Sequence, residues 1–194
     1  MTGRLIAIEG PDGCGKSTQA ALLAARLDAV LSREPGGTAV GERLRAVLID
    51  ATVDLDLRAE ALLMAAARAQ HVAEVIAPAL ASGRDVVVDR FSHSSLAYQG
   101  FGRGLRIDEL RWMSDWATGG RWPDIVVLLD RRAGLPLGAV DPGDRFETAG
   151  ADFTRRVAEG FHLLAAADAA RWRVIDGEGS IDEVGDRVWH AVET

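Results

Sequence analysis

GPDGCGKST, residues 10–18, holds Lys16, the only lysine in the 194 residues; the other 21 of the 22 basic side chains are arginine. A chain that otherwise writes every cation as arginine keeps a lysine here for a chemical reason. Gly10-Pro11-Asp12-Gly13-Cys14-Gly15-Lys16-Ser17 fits G-x-x-x-x-G-K-[ST]. The apolar run LIAIE (5–9) precedes it and a helical pattern, Lys16–Leu27, follows, which is the strand–loop–helix context the pattern requires. Glycines let backbone N–H groups turn inward around a phosphate, and the helix start adds partial positive charge. A compact ammonium can reach β- and γ-phosphate oxygens from inside such a cradle, where a bulkier guanidinium fits poorly. Ser17 supplies a hydroxyl for Mg²⁺, Thr18 packs or caps behind it, and Cys14 reads as a small loop filler.

Outward from this loop, short apolar runs alternate with longer helical patterns. The runs are 5–9, 29–32, 85–89, 124–130 and 172–176, and few polar residues interrupt them, so they read as strands covered on both faces. Helical spacing covers 16–27, 40–49, 57–80, 107–116, 152–169 and 181–192. The alternation predicts an α/β fold with a mainly parallel sheet, in one domain spanning 1–194. Ligands of such sheets bind beyond the carboxyl ends of the strands. The loop of 10–18, Asp89-Arg90 and Asp130-Arg131 all fall there.

Net charge is −7, which argues against a general nucleic-acid surface but not against a local anion pocket. The single cysteine excludes an internal disulfide and fits a reducing compartment. No apolar run is long enough to cross a bilayer, and the amino-terminal run has no small-residue cleavage site, so the expectation is a cytoplasmic protein without membrane or nucleic-acid partners. The four histidines show no metal-like grouping and read as structural or solvated; the five tryptophans read as core or dimer contacts.

The loop alone allows several phosphate-binding classes. A GTPase base motif of the NKxD type is excluded, because the chain has no asparagine and its lysine is already used. Narrower signals are REPGGT (33–38), Asp89-Arg90-Phe91, SSLAYQGFGRGL (94–105), ARAQH (67–71) and DRFE (144–147). With these motifs the sequence resembles bacterial thymidylate kinase, nearly end to end. The resemblance implies a P-loop NTPase three-layer sandwich: a five-stranded parallel sheet flanked by helices, with a short lid at about 131–148. It implies transfer of the ATP γ-phosphoryl group to dTMP, giving dTDP for dTTP synthesis, with Mg²⁺, by a homodimer.

It also implies roles. Gly10, Gly13, Cys14, Gly15, Lys16, Ser17 and Thr18 would hold ATP, with Ser17 and Asp89 near Mg²⁺. Arg90 would clamp the dTMP phosphate, as a fork of donors suits a dianion. Asp12 would accept from the sugar 3′-OH. Arg68 would reach the thymine edge or the phosphate, Ser95 and Gln99 would help read the base, and Tyr98 would occupy the space of a 2′-OH. Arg33 and Pro35 would shape the acceptor wall, with Glu34-Pro35 a candidate cis bond, and Glu147 would approach the acceptor or metal. Plainer readings stand beside these: a surface ion pair for Asp89-Arg90, a solvated helix residue for Arg68, helix packing for Tyr98 and Gln99, a cap for Glu147.

Two departures from the family pattern bear on function. The glycine loop carries no arginine and 133–144 carries no basic residue, so transition-state charge falls to Arg131, Arg132, Arg145 or Arg103, with Arg145 first and Arg132 next. Met64 stands four residues before Arg68, where the family usually has a stacking phenylalanine; a thioether gives less area and less geometric selection. Two other readings stay open: a kinase for another nucleotide acceptor, and a nucleotide-binding paralogue with weak catalysis.

Overall fold

Each of the five apolar runs forms a strand in the computed structural model, which describes residues 2–131 and 143–193. The strands are β1 (Leu5–Glu9), β2 (Val30–Arg33), β3 (Val86–Asp89), β4 (Ile125–Asp130) and β5 (Trp172–Asp176). They form one parallel sheet in the order β2-β3-β1-β4-β5. The helices are α1 (Lys16–Leu27), α2 (Ala39–Ile49), α3 (Leu57–His71), α4 (Ala77–Ala81), α5 (Ser92–Ser95), α6 (Ile107–Thr118), α7 (Ala151–Ala167) and α8 (Ile181–Glu193).

Side-chain alternation splits the central strands between two cores. Ile6 and Ile8 pack with Leu23 of α1 and Val184 and Val188 of α8. Leu5 and Ala7 point the other way, toward Val72, Ile76 and Leu80. Further along that side Leu128 meets Phe153, Phe161 and Leu96. Leu5, Ile6 and Ile8 are at most 1% exposed, and each such side chain contributes about 1.5–3 kcal/mol by burial. The two edge strands differ from the expectation of cover on both faces. Burial alternates along β2 and in β5 beyond Trp172, leaving Leu31 and Val174 half exposed, so one face of each edge strand lies open there.

The helical pattern over 57–80 is interrupted. α3 ends at His71, widens into π turns over Val72–Ile76, and resumes as α4. Pro78 accounts for this: it has no N–H for the carbonyl four residues back and its ring crowds that carbonyl, so the preceding turn opens. A second π segment, Leu96–Gly102, continues α5 and has no counterpart among the expected elements. Its close packing onto α7 depends on two glycines. A Cβ on Gly102 would lie 2.6 Å from Phe153, and one on Gly160 2.6–2.7 Å from the ring and Cβ of Phe101.

The expected lid of 131–148 is described at its flanks only; residues 132–142 lie outside the described residues. The carboxyl flank is pinned to the end of α2: the Arg145 amide donates to the Ile49 carbonyl (2.9 Å), and the Ala51 amide to that of Gly143 (3.0 Å).

Replacing Gly160 by alanine tests the glycine contacts. Helix propensity alone favours alanine by about 1 kcal/mol, but overpacking a filled interface costs about 1–3 kcal/mol. The atoms in the way are the Cβ and ring of Phe101, which cannot swing aside. A net loss of about 1–2 kcal/mol is expected in denaturant titration; a stabilised variant would show that this interface has slack.

Candidate active site

The carboxyl ends of β1, β3 and β4 gather the polar side chains. Gly10, Gly13 and Gly15 take φ of 145°, 73° and 94°, a region that favours glycine. A Cβ on Gly10 would also lie 2.9 Å from both Cys14 Sγ and the Leu129 carbonyl. Lys16 opens α1 and its buried ammonium donates to the Pro11 carbonyl at 2.5 Å, with Cys14 Sγ 3.7 Å away. Burial and the nearby Arg90 hold its pKa below the ordinary lysine value. Ser17 Oγ donates to Asp89 Oδ2 at 2.5 Å, while Asp89 Oδ1 is buried with no hydrogen-bond partner among the described residues. Thr18 is exposed and Cys14 buried.

Arg90 sits where β3 gives way to α5, at φ 69°, an uncommon conformation for a side-chain-bearing residue. Glu9, the last residue of β1, fixes this turn. Its carboxylate accepts from the amides of Phe91 (3.0 Å) and Ser94 (3.2 Å) and from Ser94 Oγ (2.5 Å). The Arg90 guanidinium lies 4.8 Å over the Tyr98 ring. It donates to Asp12 Oδ1 (2.5 Å), Tyr98 Oη (2.9 Å) and Ser94 Oγ (3.2 Å). Tyr98 in turn donates to Asp12 Oδ2 at 2.7 Å. Burial opposes charge on Asp12, but Arg90, Lys16 and Tyr98 outweigh it and lower its pKa. Burial likewise opposes charge on Arg90, and Tyr98, Asp12, Asp89 and Glu9 outweigh it.

Beside this cluster opens a cleft. Asp12, Pro35, Met64, Arg68, Arg90, Ser95, Tyr98 and Gln99 line it together with Glu34, Arg45, Asp144 and Phe146. The Glu34-Pro35 bond is cis. Arg68 is 3% exposed and donates to Glu34 Oε2 (2.7 Å), Ser95 Oγ (3.0 Å) and the Phe91 carbonyl (3.3 Å). His71 bridges Glu34 Oε1 (2.9 Å) and Ser32 Oγ (2.6 Å). Gln99 donates to Glu60 at 2.8 Å. This geometry removes the surface-ion-pair reading of Asp89-Arg90 and the solvated reading of Arg68.

Other expected residues are elsewhere. Arg33 pairs with Glu42 on the exposed side of β2, and Arg45 takes the wall position, donating to the Pro35 carbonyl at 3.2 Å. Alternation along β2 is the reason: Ser32 turns inward and Arg33 outward. Glu147 is exposed and does not line the cleft, although its neighbour Phe146 does. Arg145 and Arg103 both converge on Glu60 Oε2, at 3.1 and 3.3 Å, and Arg131 pairs with Glu178 at 3.4 Å. Arg132 lies outside the described residues. His93 is buried against Trp122 and Trp172, and burial lowers its pKa to about 3. Among the described residues no group of three or more His, Cys, Asp or Glu could hold a metal on its own, and no helix is long and apolar enough to cross a membrane.

The glycine loop thus stands beside a cleft that has its own arginines. Comparison with known proteins decides which enzymes share this plan. The family described as thymidylate kinase matches residues 8–188. The chain belongs to the thymidylate kinase family. A thymidylate kinase of Synechococcus sp. (strain JA-3-3Ab) is 48% identical over 193 residues, covering 97% of this chain and 94% of that protein. One from Bifidobacterium longum (strain DJO10A) is 47% identical, covering 100% and 97%. The crystal structure of thymidylate kinase from Ehrlichia chaffeensis superposes with a TM-score of 0.84 at 31% identity, over 99% of this chain and 100% of that one.

Four residues at or behind this thymidylate kinase family site are given no contact of their own by the sequence: Glu9, Glu34, Arg45 and Glu60. Two left a signal. Glu9 is a charge ending a fully buried strand, and Glu60 lies one and two turns before Met64 and Arg68 on α3. Glu34 is hidden inside REPGGT, and Arg45 is distinguished from its neighbours only by helical phase.

Glu9 gives the site a pH signature. Burial raises its pKa from 4.5 to about 7, against the pull of Ser94, Arg90 and Phe91. Between those values the folded chain holds the proton more often than the unfolded one, so stability falls as pH rises and is flat above. Glu9→Gln imitates the protonated acid. Over the interval from 4.5 to about 7, wild type should lose on the order of 3 kcal/mol relative to the variant. Parallel denaturant profiles would mean that Glu9 does not titrate there.

Proposed function

We propose that the chain transfers the γ-phosphoryl group of ATP to dTMP, giving dTDP, with Mg²⁺. The observation that carries this is the joined site: the Lys16 loop and the cleft share the Asp12–Arg90–Tyr98 cluster. One side suits a triphosphate and the other a monophosphate with a base. Family membership at near full-length coverage supports the same reaction. Ser17 and Asp89 would hold the Mg²⁺: a hydroxyl is hydrogen-bonded to a carboxylate whose second oxygen is buried without a hydrogen-bond partner among the described residues, which suits a cation or its bound water. When bound, the ion neutralises charge on the β- and γ-phosphate oxygens.

The acceptor is already a phosphate oxygen, so no general base is needed. The chain's work is alignment and charge neutralisation. Arg90 offers a fork of donors to the acceptor phosphate, pre-aimed by Asp12 and Tyr98. Lys16 and the loop amides hold the donor phosphates. Tyr98, packed over Arg90, fills the place where a ribose 2′-OH would project. Arg68 faces the base edge, Met64 lies on its face, and Ser95 and Gln99 complete the wall.

A homodimer in the cytoplasm completes the reading. Leu62 on α3 and Trp112 and Trp116 on α6 are 60%, 69% and 78% exposed, an apolar face that a second copy would cover. The lone cysteine suits a reducing compartment.

ATP-dependent phosphorylation of dTMP, dUMP, dCMP, dGMP and AMP tests the acceptor; preference for another monophosphate would sink the reading. Lys16→Ala should lower turnover by at least about 10²-fold with an unchanged melting profile, and near-normal turnover would refute the donor site. Arg145→Ala should lower kcat more than it weakens dTMP binding. An equal effect on both would mean that its only work is with Glu60.

A further inference from the structure

Glu60 is fully buried, one helical turn from Met64 and two from Arg68, and it lies behind the cleft wall rather than in its lining. One oxygen accepts from Gln99 Nε2 at 2.8 Å. The other faces the guanidiniums of Arg145 (3.1 Å) and Arg103 (3.3 Å). Resting on the proposed kinase reading, we propose that Glu60 is a positioning residue for base selection: it fixes which end of the Gln99 amide the cleft presents.

The argument is one of hydrogen-bond polarity. A carboxylate held between two guanidiniums offers acceptors only. Gln99 must therefore turn its NH₂ toward Glu60. The amide is planar, so its carbonyl oxygen takes the other branch, on the side of the cleft that Gln99 lines. A flip would place that oxygen against a carboxylate oxygen in a buried site and leave it without a donor, which is strongly unfavourable. The cleft wall thus carries a fixed acceptor. Thymine and uracil have a ring N3–H to give it. Cytosine presents a lone pair at N3 and would meet acceptor against acceptor. Gln99 by itself, able to show either end, would not discriminate.

The two arginines make the device rigid. Arg103 lies 4.6 Å over the Phe153 ring, and Arg145 lies 5.9 Å from the Phe146 ring. Both cations are therefore held in place by packing, and they fix the orientation of the carboxylate between them.

The test is calorimetric binding of dTMP, dUMP and dCMP to the full chain, with turnover measured in parallel. Wild type should favour dTMP and dUMP over dCMP. In Glu60→Gln the neighbouring amide can reverse its own polarity, so Gln99 is released. The dTMP-to-dCMP affinity ratio should then fall about 10-fold, the size of one specific hydrogen bond, while the dTMP-to-dUMP ratio stays constant. Gln99→Ala, which leaves the buried ion cluster intact, should lose the same discrimination, and adding Glu60→Gln to it should change the ratio no further. Unchanged rejection of dCMP in Gln99→Ala, or in folded Glu60→Gln, would overturn the inference; so would an equal loss for all three nucleotides, which marks a merely structural role. Glu60-dependent preference for dTMP without phosphoryl transfer would leave this inference standing and overturn the kinase reading instead.

Discussion

The pairing of Arg90 with Asp12 is the constraint around which the site is arranged. A guanidinium taken out of water needs compensation, and removing either partner of such a pair leaves a costly charge behind. Asp12 comes from the glycine loop after β1, and Arg90 from the turn after β3. Their contact therefore ties two neighbouring strands at their carboxyl ends and fixes the spacing between the glycine loop and the cleft. Tyr98 seals the pair from one side and Glu9 holds the turn that aims Arg90. The uncommon backbone at Arg90 persists because amides on both sides of it are anchored, to the Ile8 carbonyl and to Glu9.

A second axis runs along α3. Glu60, Met64, Arg68 and His71 fall on successive turns of one face. They engage, in order, the Gln99 amide, the cleft itself, the carboxylate of Glu34, and Ser32 of β2. A single helix thus places contacts at regular intervals from one end of the cleft to the other. The buried carboxylates Glu34 and Glu60 are the counter-charges that let arginines stand in so apolar a setting.

The frame was legible because its signals are local. Strands β1 and β5 and helix α1 end where apolar runs, glycines and charges say they should. The glycine loop was readable for the same reason, since its chemistry lies in eight consecutive residues. The long-range pairings were not. Nothing in the sequence says that Arg45 rather than Arg33 reaches the wall, because that depends on the facing of an edge strand and the phase of α2. The capture of Arg145 and Arg103 by Glu60 joins residues far apart in the chain. The π turn of 96–102 answers to glycine contacts with α7 that only the assembled fold creates.

The solitary Lys16 also has a meaning for anyone handling this molecule. It is the sole side-chain amine in a chain whose other cations are guanidiniums, inert to acylating agents and aldehydes at neutral pH. Its lowered pKa leaves a larger neutral fraction than an ordinary lysine has, and the neutral amine is the nucleophile. Covalent amine chemistry on side chains is therefore confined to the phosphate cradle. The extent of such labelling, and its suppression by an occupying phosphate ester, becomes a direct count of how many cradles in a sample are filled.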